Sequence, residues 1–169
     1  ANTSTTAART IFIEGVKMTG PNFSDPIHIA DRVENNLTVI LQNIHIEGIV
    51  YGGNTRPPNS HADAIQAYGG PAILKIDRFR ADHCTYQGFF FNDADGRSIP
   101  TGHQAWEIHN VHLIGDDTSG PEGGEHYLLT DIQGPRTTNT SNIYIERTAN
   151  IGNPNDSYAG CAAWDWHDG

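Results

Sequence analysis

The segment between residues 59 and 97 holds the densest group of polar side chains that could transfer protons. His61 and Asp63 are two residues apart, so on a β-strand their side chains would share one face. An imidazole beside a carboxylate is an acid–base pair whose orientation the carboxylate fixes. Arg80 and His83 follow in the same segment and could supply a further base or bind a substrate carboxylate. These four residues are the predicted catalytic group.

Burial would give His61 and Asp63 a structural role instead. Ile65 continues the same alternation, and an isoleucine at this position predicts an inward-facing side chain. The two residues would then be a hydrogen-bonded pair inside the core. Both interpretations are open from the sequence, and the alternation favours the buried one.

A loop in the same segment could bind a metal ion. Asn92-Asp93-Ala94-Asp95-Gly96 places oxygen ligands at alternate positions before a glycine, as part of a calcium loop does. Asp93 and Asp95 are the predicted ligands, and Ca²⁺ is the cation they would take. The loop lacks the downstream bidentate glutamate of an EF-hand, and a type I turn explains the same residues.

These groups would be positioned by a short segment that recurs five times. Each copy has an apolar–other–apolar pattern followed by a polar or turn residue. The anchors of the copies are Ile11, Ile44, Phe79, Val111 and Ile143, at separations of 33, 35, 32 and 32 residues. A period of about 20–50 residues indicates a stacked architecture. Because the repeated unit is a strand, the sequence predicts a parallel β-helix.

Two further families of apolar residues complete each repeat. One lies five and three residues before the anchor, as at Val39 and Leu41, and is weak in the first and last copies. The other lies between anchors, as in Ile27–Ile29 and Phe89–Phe91. The prediction is therefore an all-β solenoid of about five coils with three short strands per coil. It forms a single domain over residues 1–169, a fragment or an uncapped solenoid, because no capping helix is evident.

Equivalent positions stack in a β-helix, so each outward position becomes a column. The predicted outward column is Phe12, His45, Arg80, His112 and Tyr144. Such side chains can stack on sugar rings or hydrogen-bond to them, although they also suit any exposed strand face. The predicted substrate-binding residues are His45, Tyr86, Gln87, His112, Tyr144 and Trp164.

Two columns of polar residues are predicted beside it. The acidic column is Glu14, Glu47, Asp82 and Glu146, interrupted by Ile114. Neighbouring carboxylates repel one another, so they need basic neighbours such as Lys17 and Arg80, or a divalent ion such as Ca²⁺. Solvated turn residues that splay apart are the simpler interpretation. The second column, of turn-forming corner residues, is Asp31, Gln66, Asn92, Asp131 and Asp165.

Charge and composition restrict the partners. The net charge of −10 argues against nucleic acid and against an anionic membrane surface. No run approaches the roughly 20 apolar residues of a membrane span. Sequons for N-glycosylation begin at Asn2, Asn22, Asn36, Asn139 and Asn155. They indicate a secreted or cell-surface glycoprotein, or arise by chance in a chain rich in Asn, Ser and Thr.

The repeat period, the three strands per coil and the string around His61 resemble the right-handed parallel β-helix proteins of the pectate-lyase-like superfamily. His61-Ala-Asp-Ala-Ile-Gln66, with Gly69-Gly-Pro71 and Tyr86-Gln-Gly88, looks like an uncharacterised subgroup of it. Polygalacturonase-like members carry Asn-Thr-Asp, Asp-Asp and Gly-His-Gly in order. Here the nearest strings, Asn92-Asp93, Asp116-Asp117 and Gly102-His103-Gln104, are out of order. The resemblance therefore implies right-handed coils without implying a chemistry.

Two functions from different classes are expected. The first is an extracellular protein that binds or processes a polysaccharide in a lyase- or hydrolase-like groove. A hydrolase would need two carboxylates, and Asp63 and Asp131 would lie two coils apart, near the separation used by inverting enzymes. The second is a non-catalytic fibre or surface glycoprotein. In that case open coil ends would stack copies of the chain end to end.

Overall fold

The computed structural model describes residues 7–23, 25–30, 37–49, 62–68, 71–84, 87–92, 105–115, 129–131, 137–147 and 166–168. Within these ranges the protein is all β and contains no helix. The strands are β1 Arg9–Phe23, β2 Ile27–Ala30, β3 Leu37–Ile49, β4 Asp63–Tyr68, β5 Ile73–Cys84, β6 Gln87–Asn92, β7 Ala105–Gly115, β8 Leu129–Asp131, β9 Thr137–Arg147 and β10 Trp166–Asp168.

The strands form two parallel sheets. The larger sheet has the order β1-β3-β5-β7-β9-β10, and the smaller one has the order β2-β4-β6-β8. From β1 to β9 the chain therefore alternates between the sheets, and each strand pairs with the strand two places later. Parallel neighbours cannot be joined by a tight hairpin, and here the connection passes through the other sheet. This topology is compatible with a solenoid.

The strand registers confirm four of the five predicted anchors. Ile44, Phe79, Val111 and Ile143 are direct partners across β3, β5, β7 and β9. The first anchor was wrong, because Val16 and not Ile11 lies opposite Ile44. Ile11 instead lies opposite Val39, so β1 is displaced by five residues from the predicted alignment. The first spacing is thus 28 residues (44 minus 16) rather than 33.

The five long strands β1, β3, β5, β7 and β9 each bend at a residue with a positive φ that occupies the same register position. These residues are Gly15, Asn43, Arg78, Asn110 and Asn142, with φ of 69°, 53°, 54°, 55° and 54°. They fall between the same paired positions in neighbouring strands, so the bends stack. Glycine and asparagine adopt this left-handed conformation most readily, whereas a longer side chain does so at a cost. The bend divides β3 into two arms, 37–42 and 44–49, which correspond to two of the three predicted strand families.

Side-chain hydrogen bonds link the stacked bends. Asn142 Nδ2 donates to Asn110 Oδ1 at 3.0 Å, and Arg78 Nε donates to Asn43 Oδ1 at 2.5 Å. Between them, Asn110 Nδ2 donates to Asp77 Oδ1 at 2.9 Å, and Arg78 forms an ion pair with Asp77. Arg78 is the one bend residue that is neither asparagine nor glycine. There Asp77 accepts the hydrogen bond from Asn110, and Arg78 links Asp77 to Asn43.

The core consists of the inward side chains of both sheets. Val39, Leu41, Ile44 and Ile46 of β3 are all buried, as are their partners in β5 and β7. The rings of Phe79 in β5 and Phe89 in β6 meet edge to face, with centroids 5.1 Å apart, and join the two sheets. The predicted anchors from the second repeat to the fifth are therefore buried as expected.

The smaller sheet corrects the predicted column of corner residues. Gln66 pairs with Phe90, Asn92 pairs with Tyr68, and Asp131 pairs with Phe91, so the three occupy three different register positions. Asp31 and Asp165 lie outside the described residues. The column was predicted by taking the polar residue that follows each short apolar run. These runs begin at different positions relative to β4, β6 and β8, so the residues that follow them do not align.

The same registers separate Asp63 from Asp131. Asp63 pairs with Gln87, whereas Asp131 pairs with Phe91, four residues farther along β6. Four residues correspond to about 13 Å along the strand, in addition to about 10 Å across two strands. The resulting separation of about 16 Å exceeds the roughly 5–9.5 Å between the carboxylates of a glycoside hydrolase. The geometry predicted for this pair was wrong.

Candidate functional site

Five polar side chains stand side by side on the outward face of the larger sheet. This outer row consists of Lys17, His45, Arg80, His112 and Tyr144, one each from β1, β3, β5, β7 and β9. Each of them lies two residues after the bend of its strand, between inward-facing core residues. With strands about 4.8 Å apart, the row is about 19 Å long. Four members match the predicted outward column, but Lys17 takes the place of Phe12, which the corrected register moves to the other arm of β1.

Two carboxylates, Glu47 and Asp82, connect the first half of the row. Lys17 Nζ lies 3.2 Å from Glu47 Oε1. The same oxygen lies 3.3 Å from His45 Nε2, and that nitrogen lies 2.8 Å from Asp82 Oδ2. The imidazole of His45 is therefore held between two carboxylates from neighbouring strands.

Arg80 and two rings complete the row. Arg80 Nε lies 2.9 Å from the carboxylate of Asp82, and Arg80 Nη1 lies 3.4 Å from His112 Nδ1. The ring of His112 meets Tyr144 edge to face, with centroids 6.4 Å apart. Contacts thus run without a break from Lys17 on β1 to Tyr144 on β9.

Asp82 is the most enclosed charged group of the site, with 13% of its side chain exposed. Burial raises the pKa of Asp82, but hydrogen bonds from Arg80 and His45 outweigh that effect and hold the pKa below its usual value. The carboxylate is therefore ionised at neutral pH. The expectation that Lys17 and Arg80 neutralise the acidic residues is confirmed for Glu47 and Asp82. Glu14 was placed wrongly in that column, because it pairs with Gln42.

A bulge in β5 lies beside the cluster that the outer row forms with Glu47 and Asp82. Ala81 pairs with Leu113 and Cys84 pairs with Gly115, so two residues of β5, Asp82 and His83, face Ile114 alone. His83 is exposed and takes up the extra length with a φ of 60°. Bulges redirect side chains and are frequent next to active sites. Here the bulge begins at the residue whose carboxylate reaches diagonally to His45.

The predicted catalytic residues fall in different places. Arg80 belongs to the outer row, and His83 lies next to it in the bulge. Asp63 lies in the core of the smaller sheet, 0% exposed, and neither of its carboxylate oxygens has a hydrogen-bond partner among the described residues. His61 lies outside those residues, so its pairing with Asp63 stays a prediction.

Asp63 has the properties expected of a buried neutral acid. Its backbone N–H donates to Asp25 Oδ1 at 3.3 Å, which brings a second carboxylate close. Burial, and after it the negative charge of Asp25, raises the pKa of Asp63 to about 8. The placement of Asp63 agrees with the buried interpretation of this segment.

The remaining predicted residues are only partly described. Tyr86, Trp164, Asp93, Asp95, Asn2, Asn36 and Asn155 lie outside the described ranges. The backbones of Gln87 and Asn22 lie in β6 and β1, and Asn139 is exposed on β9. The predicted calcium loop and most of the sequons therefore remain predictions.

The sequence reasoning missed Lys17 as a member of the row. The signal that could have found it is the bend, because Gly15 and Asn43 each precede an outward side chain by two residues. Aligning Gly15 with Asn43, rather than with Gly48, brings Lys17 beside His45.

The cluster can supply several kinds of interaction at one surface. His45 uses Nε2 toward the carboxylates, which leaves Nδ1 as the nitrogen that could exchange a proton with a ligand. Lys17 and Arg80 offer donors, Glu47 offers acceptors, and Tyr144 is 45% exposed and offers a ring face.

No protein-family model, no curated protein and no solved structure matches this chain. The relationship to the pectate-lyase-like superfamily therefore stays a resemblance. Across the described ranges, no helix is long and apolar enough to cross a membrane.

Proposed function

We propose that this chain is a right-handed, single-stranded parallel β-helix of about five coils, with three strands per coil, that binds a polysaccharide outside the cell. Support for the coils comes from the alternation of the chain between two parallel sheets and from the stacked bends. Each bend turns one long strand into two arms, and the smaller sheet supplies the third strand. The pectate-lyase-like resemblance is in keeping with this architecture.

The observation that carries the function is the unbroken outer row. A linear polymer that ran across the strands would meet a new side chain about every 4.8 Å. Over the length of the row it would meet donors, acceptors and a ring face in turn. This arrangement suits sugar hydroxyl groups, which both donate and accept hydrogen bonds.

The charges of the row favour a neutral or weakly charged glycan. Lys17 is paired with Glu47, and Arg80 is paired with Asp82, so the four charges cancel. A strongly anionic polymer would have to compete with the two carboxylates for the same cations. The exposed Tyr144, with His112 packed edge-on beside it, provides the stacking surface.

Processing of the glycan would centre on His45. Asp82 would orient its ring, and Arg80, which also contacts Asp82, would stabilise negative charge that develops on a substrate oxygen. If the protein is an enzyme, this makes it a polysaccharide lyase or a glycoside hydrolase. The exposed Asn139, which begins a sequon on β9, is consistent with a secreted glycoprotein.

Tyr144→Ala and Phe12→Ala form a matched pair that tests glycan binding. Both side chains are exposed aromatics, at 45% and 53%, but only Tyr144 belongs to the outer row. With a polysaccharide selected from a panel of linear glycans, Tyr144→Ala should weaken binding about 3- to 10-fold in titration calorimetry. Phe12→Ala should leave the affinity unchanged. Equal effects of the two substitutions would show that the row is not the binding surface.

The second candidate function is end-to-end association into a fibre, favoured by the exposure of β1. This strand lies at one edge of the larger sheet, and Ile11 and Phe12 are 47% and 53% exposed. An unpaired edge with apolar side chains invites pairing with another chain. Negative-stain electron microscopy over a concentration series would show filaments if this candidate is correct, and discrete particles if it is not.

A further inference from the structure

Three donor atoms of the cluster converge on one point of the surface. They are His45 Nε2, one oxygen of Glu47 and one oxygen of Asp82, and all three lie within 4.8 Å of one another. His45 and Glu47 are two residues apart on β3, so they share its outward face. Asp82 reaches them from β5 at the start of the bulge. The convergence therefore depends on the register of two strands and on one local irregularity.

Two of the three spacings between these atoms, those to His45 Nε2, are close to the spacings of ligands around a metal ion. Bonds of about 2.0–2.1 Å to a zinc-like ion place neighbouring ligand atoms about 2.9 Å apart at right angles and about 3.4 Å apart in a tetrahedron. His45 Nε2 lies 2.8 Å from Asp82 Oδ2 and 3.3 Å from Glu47 Oε1. Both distances to the imidazole nitrogen are therefore close to those that an ion of this kind requires.

We propose that His45, Glu47 and Asp82 bind a divalent first-row transition-metal ion of the Zn²⁺ type. One imidazole and two carboxylates suit such ions, whereas Ca²⁺ takes six to eight oxygen ligands. Three protein ligands on the outward face of two neighbouring strands leave a coordination position for water or for a substrate oxygen. The site differs from the predicted calcium loop in both its residues and its ion.

The basic neighbours act as outer partners of the ligands. Arg80 Nε donates to Asp82 Oδ2 at 2.9 Å and lies equally close to Oδ1, which has no hydrogen-bond partner among the described residues. A small turn of the guanidinium toward Oδ1 would leave Oδ2 for the ion. In the same way, Lys17 could bind the second carboxylate oxygen of Glu47 while Oε1 binds the ion. Hydrogen bonds of this kind orient carboxylate ligands at metal sites. The ion would take the place that the imidazole N–H now occupies between the two carboxylates.

The metal site does not rest on the proposed glycan binding. It is tested with the metal alone, so either proposal can fail while the other stands.

The experiment is calorimetric titration of the chelator-treated full chain with Zn²⁺, with Co²⁺ absorption as a second readout of imidazole ligation. One equivalent should bind to the wild type, and His45→Gln should weaken its binding at least tenfold. His112→Gln is the matched control, because His112 lies in the same row and is not one of the three residues whose donor atoms converge. It should change the affinity less than twofold.

Glu47→Gln and Asp82→Asn keep the test decisive if His45→Gln does not fold, and each should also weaken binding at least tenfold. Absence of binding up to millimolar Zn²⁺ would overturn the proposal. Binding that persists unchanged in all three variants would overturn it equally.

Discussion

Replacing Asp63 with asparagine tests the buried acid at the start of β4. The carboxyl is 0% exposed, and burial together with the charge of Asp25 raises its pKa from the usual 3.8 to about 8. In the unfolded chain the group is exposed and titrates near that lower value. Between about pH 4 and 8 the folded protein therefore holds a proton that the unfolded chain releases.

The sign and size of the effect follow from this difference in bound protons. Stability falls as the pH rises through the window, because ionisation favours the unfolded chain, and it levels off above about pH 8. One proton corresponds to about 1.4 kcal/mol per pH unit, so two units within the window amount to roughly 3 kcal/mol. Asp82 contributes in the opposite direction, because its pKa is lowered and its stabilising effect is lost only at acidic pH. The range from pH 5.5 to 7.5 therefore excludes the contribution of Asp82, and the comparison with Asp63→Asn removes that of the other groups.

Urea unfolding followed by tryptophan fluorescence at pH 5.5, 6.5 and 7.5 measures the effect. The wild type should lose roughly 3 kcal/mol more than Asp63→Asn between the two ends of this range. The change with pH is the test, because an asparagine leaves its own amide buried and alters the absolute stability. Asp25→Asn is the control, since it removes one contribution and should shift the window without abolishing it. Parallel profiles of wild type and Asp63→Asn would refute the reasoning.

Three substitutions at left-handed residues, two of them at bends, test the backbone. Gly48→Ala should destabilise by about 3 kcal/mol or more, because φ is 88° and a Cβ would lie 1.9 Å from the carbonyl oxygen of Gly20. Gly15→Ala meets nothing within 4 Å and should cost only about 1–2 kcal/mol, so equal losses in urea unfolding would contradict this account. Arg78→Asn should raise the unfolding midpoint by the equivalent of roughly 0.5–1 kcal/mol, since it relieves the strain at φ 54° and loses only exposed polar contacts, the ion pair with Asp77 and the hydrogen bond to Asn43. A lower midpoint would show that these contacts outweigh the strain.

The apolar spacing predicts most of the larger sheet. Ile44, Phe79, Val111 and Ile143 could be aligned because inward positions of stacked parallel strands must all be apolar. The first repeat was misaligned because the sequence of residues 11–15, Ile-Phe-Ile-Glu-Gly, is nearly identical to that of residues 44–48, Ile-His-Ile-Glu-Gly. Both arms of β1 alternate in the same way, so only the position of the bend distinguishes them. The sequence does not show whether Gly15 corresponds to the bend residue Asn43 or to Gly48 at the end of the second arm.

The candidate site could be predicted as a row but not as a set of contacts. The outward positions of His45, Arg80, His112 and Tyr144 follow from alternation alone. The contact between Asp82 and His45 depends on the bulge in β5, and the sequence of residues 81–84 does not predict a bulge. In the smaller sheet, variable connections hide where each strand begins, and the predicted polar column failed there for that reason.

Hydroxyl-radical footprinting with and without a bound oligosaccharide tests the central claim most directly. Lys17, His45, Arg80, His112 and Tyr144 form the surface whose protection is measured, and Phe12 is the exposed aromatic outside it. The account predicts that His112 and Tyr144 become protected while Phe12 reacts as before. Protection of Phe12 with no change at His112 and Tyr144 would contradict it.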